Sequence, residues 1–281
     1  MMKLTNLAKL ILLTPLLALP AGAQTLLVAA AADLSYCIDE LGAAFAREAP
    51  QTKAKIEVKV SLGASGNFFT QIRNGAPFDV FLSADMAYPG QLAKDGAADG
   101  ATLMPYAIGR IALFSLDPRF DLKLGMAVLQ DRRLSRIAIA NPAVAPYGRA
   151  AKAALEAAGA WQAVQPKLVI GENIAQTVQF VQTGNAQIGI VSYASVLSPR
   201  VKGSGSHYLI PDAGMAPIEQ GAIVTAHGKA NPLAPRFVQF LSSPAARAIL
   251  QRHGFGLPPL PAPAPIPPPP PPPLPPGPPR G

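Results

Sequence analysis

Cysteine is nearly missing from this chain: Cys37 is the only one in 281 residues, which excludes a disulfide framework and any multi-cysteine metal site. Histidine is scarce too, and His207, His227 and His253 show no ligand spacing. Aromatic residues make up 6% of the chain and the basic residues form no run, despite a formal net charge of +8. A nucleic-acid groove is therefore excluded as a reading. There is no glycine-rich phosphate loop and no dinucleotide fingerprint. Nor is there a Ser-His-Asp order or a nucleophile elbow. Nothing marks a catalytic centre, a resident cofactor or a metal site, so a non-enzyme is expected.

What is present is unevenly spread. Residues 1–23 carry Lys3 and Lys9 without an acid, then an apolar stretch Leu10–Leu19 and the small residues Ala21-Gly22-Ala23. That is the layout of a cleaved secretory signal peptide, with too short an apolar run for a membrane anchor. Residues 257–281 hold 16 of the 32 prolines. Proline lacks the amide proton and fixes φ, so this tail is expected to be extended or disordered. Between the ends lie 233 residues with a net charge of +5, enough for one large or two small cores.

Within this body, strand and helix patterns alternate. Thr25–Ala32 is a continuous apolar run suited to a strand buried on both faces. Leu34, Ile38, Leu41 and Phe45 recur at helical spacing. Ile56, Val58, Val60 and Leu62 alternate, and Phe78–Leu82 is a further strand. The second half repeats the scheme with strands at Ile111–Phe114, Ile137–Ala140, Leu168–Ile170 and Ile188–Val191, and helices over Pro146–Ala158 and from Ile174. A strand at Ala222–Thr225 and helices broken near Pro244 close the body. This order predicts an α/β fold of two doubly wound lobes with parallel sheets. Two hinge crossings are expected, near Tyr106–Arg110 and Ala213–Gln220. Residues 24–107 and 216–256 would form lobe 1 and residues 108–215 lobe 2.

In such sheets ligands gather at strand carboxyl ends, where helices begin. Five junctions qualify: Ala32–Ser35, Gly63–Asn67, Val144–Gly148, Glu172–Ile174 and Ser192–Tyr193. Their small residues let backbone approach a ligand, and a helix start offers unpaired N–H donors and partial positive charge. Several such ends converging on a cleft could hold an oxyanion without Arg or Lys. Arg149 and Lys152 follow one junction and read equally well as anion-steering groups or as a solvated helix face. Glu172 reads as a cap, Asp79 and Asp85 as caps or hinge partners, and Cys37 as core.

The segments AAAADL, GASGN, QIRNGAPFDVFLSAD, NPAVAPYGRAAKAAL, PKLVIGENIAQTVQFVQTGNAQIGIV and HGFGLP together resemble the periplasmic molybdate-binding proteins of ABC importers. The likeness spans Thr25 to Leu257. It implies a type II periplasmic solute-binding protein that takes molybdate and usually tungstate, delivers to an ABC permease of the inner membrane, and is monomeric. It places first-lobe ligands on Asp33 and Ser65, and second-lobe ligands on the N–H groups of Tyr147 and Ile174 and on Ser192 or Tyr193. Two positions depart from the family pattern. Asp33 stands where a hydroxyl-donating Ser is usual, and Ser192 stands where a Tyr is usual, with Tyr193 next to it.

An ionised carboxylate at ~4 Å from a dianion is repelled by roughly 4 kcal/mol per charge pair at an effective dielectric of ~20. Asp33 therefore turns away to cap Ser35 or Tyr36, or is protonated, or faces a protonated oxyanion. Two other readings stand beside molybdate capture: a binding protein for a different, protonated oxyanion, and a cell-envelope interaction protein working through its Pro-rich tail.

Overall fold

A computed structural model describes residues 24–48, 55–212 and 216–259. Residues 1–23, expected to be a signal peptide, and residues 260–281 of the tail lie outside the described residues. The apolar run at the start of the body becomes β1 (Gln24–Ala31). Leu26, Val28 and Ala30 point to one side of the sheet, and Ala29 points to the other, as the period of two requires. Both faces are covered, which is why the run has no polar interruptions.

The first sheet adds β2 (Ile56–Gly63), β3 (Val80–Ser83), β4 (Ala98–Gly109) and β10 (Ile218–Thr225), in the order β2-β1-β3-β10-β4. One face packs on α1 (Ile38–Glu48), α8 (Leu233–Phe240) and α9 (Pro244–Arg252), where Phe45 meets Phe237 edge-on at 5.1 Å. The other packs on α2 (Ser65–Arg73) and α3 (Ala87–Lys94) through Phe68, Ile72 and Leu92. Cys37 is buried in the first of these cores, as its place in the apolar stripe suggests.

The second sheet consists of β5 (Ile111–Ser115), β6 (Ile137–Ala140), β7 (Leu168–Gly171), β8 (Ile188–Ser192) and β9 (Ser206–Leu209), in the order β7-β6-β8-β5-β9. Ile139, Ile190 and Leu113 pack towards α4 (Pro146–Ala157), and Ala138, Val191 and Phe114 towards α6 (Ile174–Gln182). Two short helices, α5 (Trp161–Val164) and α7 (Tyr193–Leu197), complete this lobe. No described helix is long and apolar enough to cross a membrane.

Two expectations need correction. The sheets are mixed, not parallel throughout: β10 runs antiparallel to β3 and β4, and β5 antiparallel to β8 and β9. The cause is the crossing itself, since a chain leaving one sheet to begin another returns in the opposite sense. The helix expected from Leu34 is two pieces, a 3-10 turn at Ala32–Tyr36 and α1 from Ile38. β4 runs to Gly109, so that only Arg110, within the segment where the first crossing is expected, separates it from β5. Arg110 anchors this crossing by donating to Gly254 O at 3.1 and 2.8 Å, with its guanidinium 4.9 Å from the Tyr193 ring centroid. Paired backbone bonds of 2.8 Å between Ile108 and Gly256 tie the end of the body to the same point. Leu257 packs on the first-lobe core, and Arg247 donates to Pro258 O at 3.1 Å.

Candidate functional site

Strand carboxyl ends from both sheets face each other across the cleft, each followed by a helix start. Together they wall a chamber of only about 10 Å3. Ala31, Ala32, Asp33, Gly63, Ala64, Ser65 and Ala84 contribute from the first lobe, and Ala145, Pro146, Tyr147, Asn173 and Ile174 from the second. This is far below the roughly 300–1,000 Å3 of pockets for drug-sized ligands, so only a very small occupant suits it. The walls are small side chains and backbone, and no Lys or Arg lines them.

Three helices of eight or more residues begin here, and each leaves an N–H without an acceptor among the described residues: Ser65 in α2, Tyr147 in α4 and Ile174 in α6. Local sequence explains each opening. Pro146 occupies the first position of α4, where its missing N–H costs nothing, so the first free donor is Tyr147. Asn173 caps α6 by accepting from Ala175 N at 3.0 Å and Gln176 N at 3.1 Å, which bypasses Ile174. The residue expected to cap this helix, Glu172, does not; its own N–H donates to Gln176 Oε1 at 2.7 Å. Ser65 Oγ accepts the Ala84 N–H at 3.0 Å. That bond fixes the rotamer and leaves the hydroxyl proton free to donate into the chamber.

The cleft is closed. Gly66 N donates to Val144 O at 2.8 Å, from one lobe to the other. Glycine is required there: a Cβ on Gly66 would lie 2.6 Å from Tyr88 Oη and 2.8 Å from Val144 O. At the lip, Arg149 pairs with Asp85 and stacks over Tyr88 at 5.3 Å. Arg149 is thus a bridge between lobes, and Lys152 pairs with Glu156 on the outer face of α4. Asp85 also caps α3 through Tyr88 N at 3.0 Å. Asp79 has no hinge role, since it accepts from Leu27 N at 2.7 Å and Asn231 Nδ2 at 2.9 Å inside the first lobe.

Asp33 is fully buried and does not cap the turn that contains it; that turn has no side-chain cap. Its Oδ2 accepts from Tyr147 Oη at 2.9 Å and from Gln220 Nε2 at 2.5 Å. Gln220 Oε1 in turn accepts from Tyr106 Oη at 2.6 Å. One carboxylate oxygen therefore joins the first lobe, the second lobe and both hinge strands. The close fit continues at Gly109, where any Cβ would collide with Tyr147 Oη. The other oxygen, Oδ1, is buried without a hydrogen-bond partner. Burial pushes the Asp33 carboxyl up to about 6, against the opposing pull of Gln220, Tyr147 and the nearby N–H groups of Asp33 and Leu34. Gln220 and Tyr106 escape sequence reading because a single polar residue in a strand announces no partner.

Asp33, Ser65, Tyr147 and Ile174 are brought together, whereas Ser192 and Tyr193 are not part of the chamber wall. Ser192 Oγ sits 2.6 Å from Ser195 Oγ and caps the five-residue α7. Tyr193 N donates to Arg110 O at 2.8 Å, and its ring lies under the Arg110 guanidinium. Both serve the hinge side of the second lobe.

The model of the family described as bacterial extracellular solute-binding protein matches residues 26–256. The molybdate-binding protein ModA of Rhodobacter capsulatus is 38% identical over 240 residues, covering 85% of this chain and 91% of that protein. The ModA of Azotobacter vinelandii is 37% identical over 242 residues, covering 86% and 94%. A solved structure of the Azotobacter vinelandii periplasmic molybdate-binding protein superposes with a TM-score of 0.76 at 32% identity, covering 83% of this chain and 99% of that one. With the two-lobed α/β architecture and these matches, the chain belongs to the bacterial extracellular solute-binding protein family.

Proposed function

We propose that this protein captures molybdate between its lobes and presents it to an ABC permease of the inner membrane. The observation that carries the reading is the chamber: three unpaired helix-start N–H groups, the Ser65 hydroxyl and no cationic side chain, in a space that suits only a very small occupant. Helix-start amides meet a dianion with fixed dipoles that need no reorganisation on binding. The direct ligands are Ser65 and the N–H groups of Tyr147 and Ile174. Asp33 acts from the wall, while Ser192 and Tyr193 act on the hinge. Residues 24–109 with 216–256, and residues 110–215, are the two bodies that close. The segment 1–23 directs export to the periplasm and is cleaved; the mature protein works as a monomer, captures its ligand without chemistry, and also accepts tungstate.

The relatives named as molybdate-binding proteins support the choice of anion. Isothermal titration of the full chain with molybdate, tungstate, sulfate and phosphate tests it. Saturable one-to-one binding of molybdate and tungstate, tighter than sulfate and phosphate, is expected. Preference for phosphate or sulfate would replace molybdate by that anion.

A further inference from the structure

Asp33 is an odd wall for a dianion chamber. Its Oδ2 has two donors, Tyr147 Oη and Gln220 Nε2, and needs no more. Its Oδ1 has none, although the residue is fully buried and lines the chamber. An ionised oxygen in that position is left without a donor on the side where an oxyanion presents only acceptors. A proton on Oδ1 removes both mismatches at once: the acid becomes neutral, and its O–H finds an acceptor in the ligand.

We infer that the protein takes up one proton together with its oxyanion and holds it between Asp33 Oδ1 and a ligand oxygen. The inference rests on the molybdate reading of the same chamber. The proton comes from solvent as the cleft closes, so a dianion and a carboxylate enter and a hydrogen-bonded acid–anion pair results. Whether the proton sits nearer the acid or the ligand, the complex holds one more than its separated parts. Affinity then falls as pH rises.

The surroundings single out Asp33 as the group responsible. Tyr106 from β4, Tyr147 from α4 and Cys37 at the end of the 3-10 turn face it, and burial pushes all three well above their usual values, which keeps them neutral. Glu40 of α1 lies beyond Cys37 and is engaged by Arg252 and His253. Glu219 lies on the opposite face of β10 from Gln220. On α7, Tyr193 is covered by Arg110. α6 carries no charged residue, and the charged side chains of β2, Glu57 and Lys59, lie towards the far end of that strand from Gly63. No cation pairs with Asp33 among the described residues.

Calorimetric titration of the full chain with micromolar molybdate, from pH 6.5 to 8.5 in paired buffers of different ionisation enthalpy, reads both affinity and proton uptake. Uptake approaching one proton per anion is expected, with affinity falling by up to about tenfold per pH unit above about 6. Asp33→Asn should bind with a flat profile and no uptake, and more tightly than the parent at pH 8. Its amide NH2 replaces the shared O–H, while its carbonyl still accepts from Tyr147 and Gln220. A parent that binds molybdate with no uptake and unchanged affinity overturns the proton inference and leaves the molybdate reading intact. An Asp33→Asn variant that retains the parent's pH profile overturns it equally. A parent that fails to bind molybdate even at pH 6.5 overturns the molybdate reading itself, and the inference with it.

Discussion

Replacing Asp33 by Asn should stabilise the unliganded protein at pH 8 and leave it almost unchanged at pH 4. The carboxyl of Asp33 is raised from 3.8 to about 6 in the folded protein, because burial outweighs the hydrogen bonds from Gln220 and Tyr147. The folded state therefore binds more protons than the unfolded chain between those two values. The contribution of Asp33 to stability is greatest below 3.8, declines as pH rises through that window, and carries the full penalty above about 6. At 1.36 kcal/mol per unit, a rise of roughly two units costs about 3 kcal/mol. Asn is isosteric with the protonated acid and does not titrate, so it removes the penalty and retains the links to Tyr147 and Gln220. At roughly 2–4 °C per kcal/mol for a chain of this size, its melting temperature at pH 8 should exceed the parent's by several degrees. Thermal unfolding of both proteins at pH 4, 6 and 8 measures this. Equal differences at pH 4 and pH 8, or a less stable variant at pH 8, would refute the reasoning, since the orphaned oxygen would then not be a buried charge.

Other consequences follow from the same geometry. Ser65→Ala removes one donor to a charged ligand and should cost roughly 1.5–3 kcal/mol, about ten- to a hundredfold in molybdate affinity by calorimetry. Gly66→Ala places a methyl 2.6–2.9 Å from Tyr88 Oη and Val144, so it should hold the lobes apart and weaken molybdate binding sharply by calorimetry, while the melting temperature of the unliganded protein stays near the parent's. Arg149→Ala breaks an accessible bridge to Asp85 and should cost only ~0.2–1 kcal/mol, seen as a modestly faster anion release by stopped flow. Truncation after Pro259 should leave melting temperature and molybdate response unchanged, because it keeps Leu257 and Pro258, which hold the end of the body to the first lobe.

Much of the site was legible because its chemistry is local. A run of apolar residues ending in Gly, Ala and Ser marks both a buried strand and the start of a helix, so GASGN and NPAVAPYG located Ser65 and Tyr147. The parts that escaped are of two kinds. Some elements hide behind their own turn-forming residues: α3 contains Pro89 and Gly90 near its start, and β4 contains Gly100 and Pro105, so neither shows a helix or strand pattern in the sequence. Other features depend on partners far away in sequence. Asp33 meets Gln220 across 187 positions and Tyr147 across 114. Local reasoning assigns Asp33 to the nearest N–H groups as a cap, whereas folding gives it partners in the hinge and the opposite lobe. Ser192 stays off the chamber wall for a related reason. The helix it begins is one turn long, and its hydroxyl is taken up by Ser195.

A crystal structure of the protein grown with molybdate tests the central claim most directly. The anion should lie between the lobes with its oxygens about 2.7–3.1 Å from Ser65 Oγ, Tyr147 N and Ile174 N, and one oxygen within hydrogen-bonding reach of Asp33 Oδ1. Molybdate bound elsewhere, or bound in this cleft through Arg or Lys side chains with those three donors unused, would contradict the account.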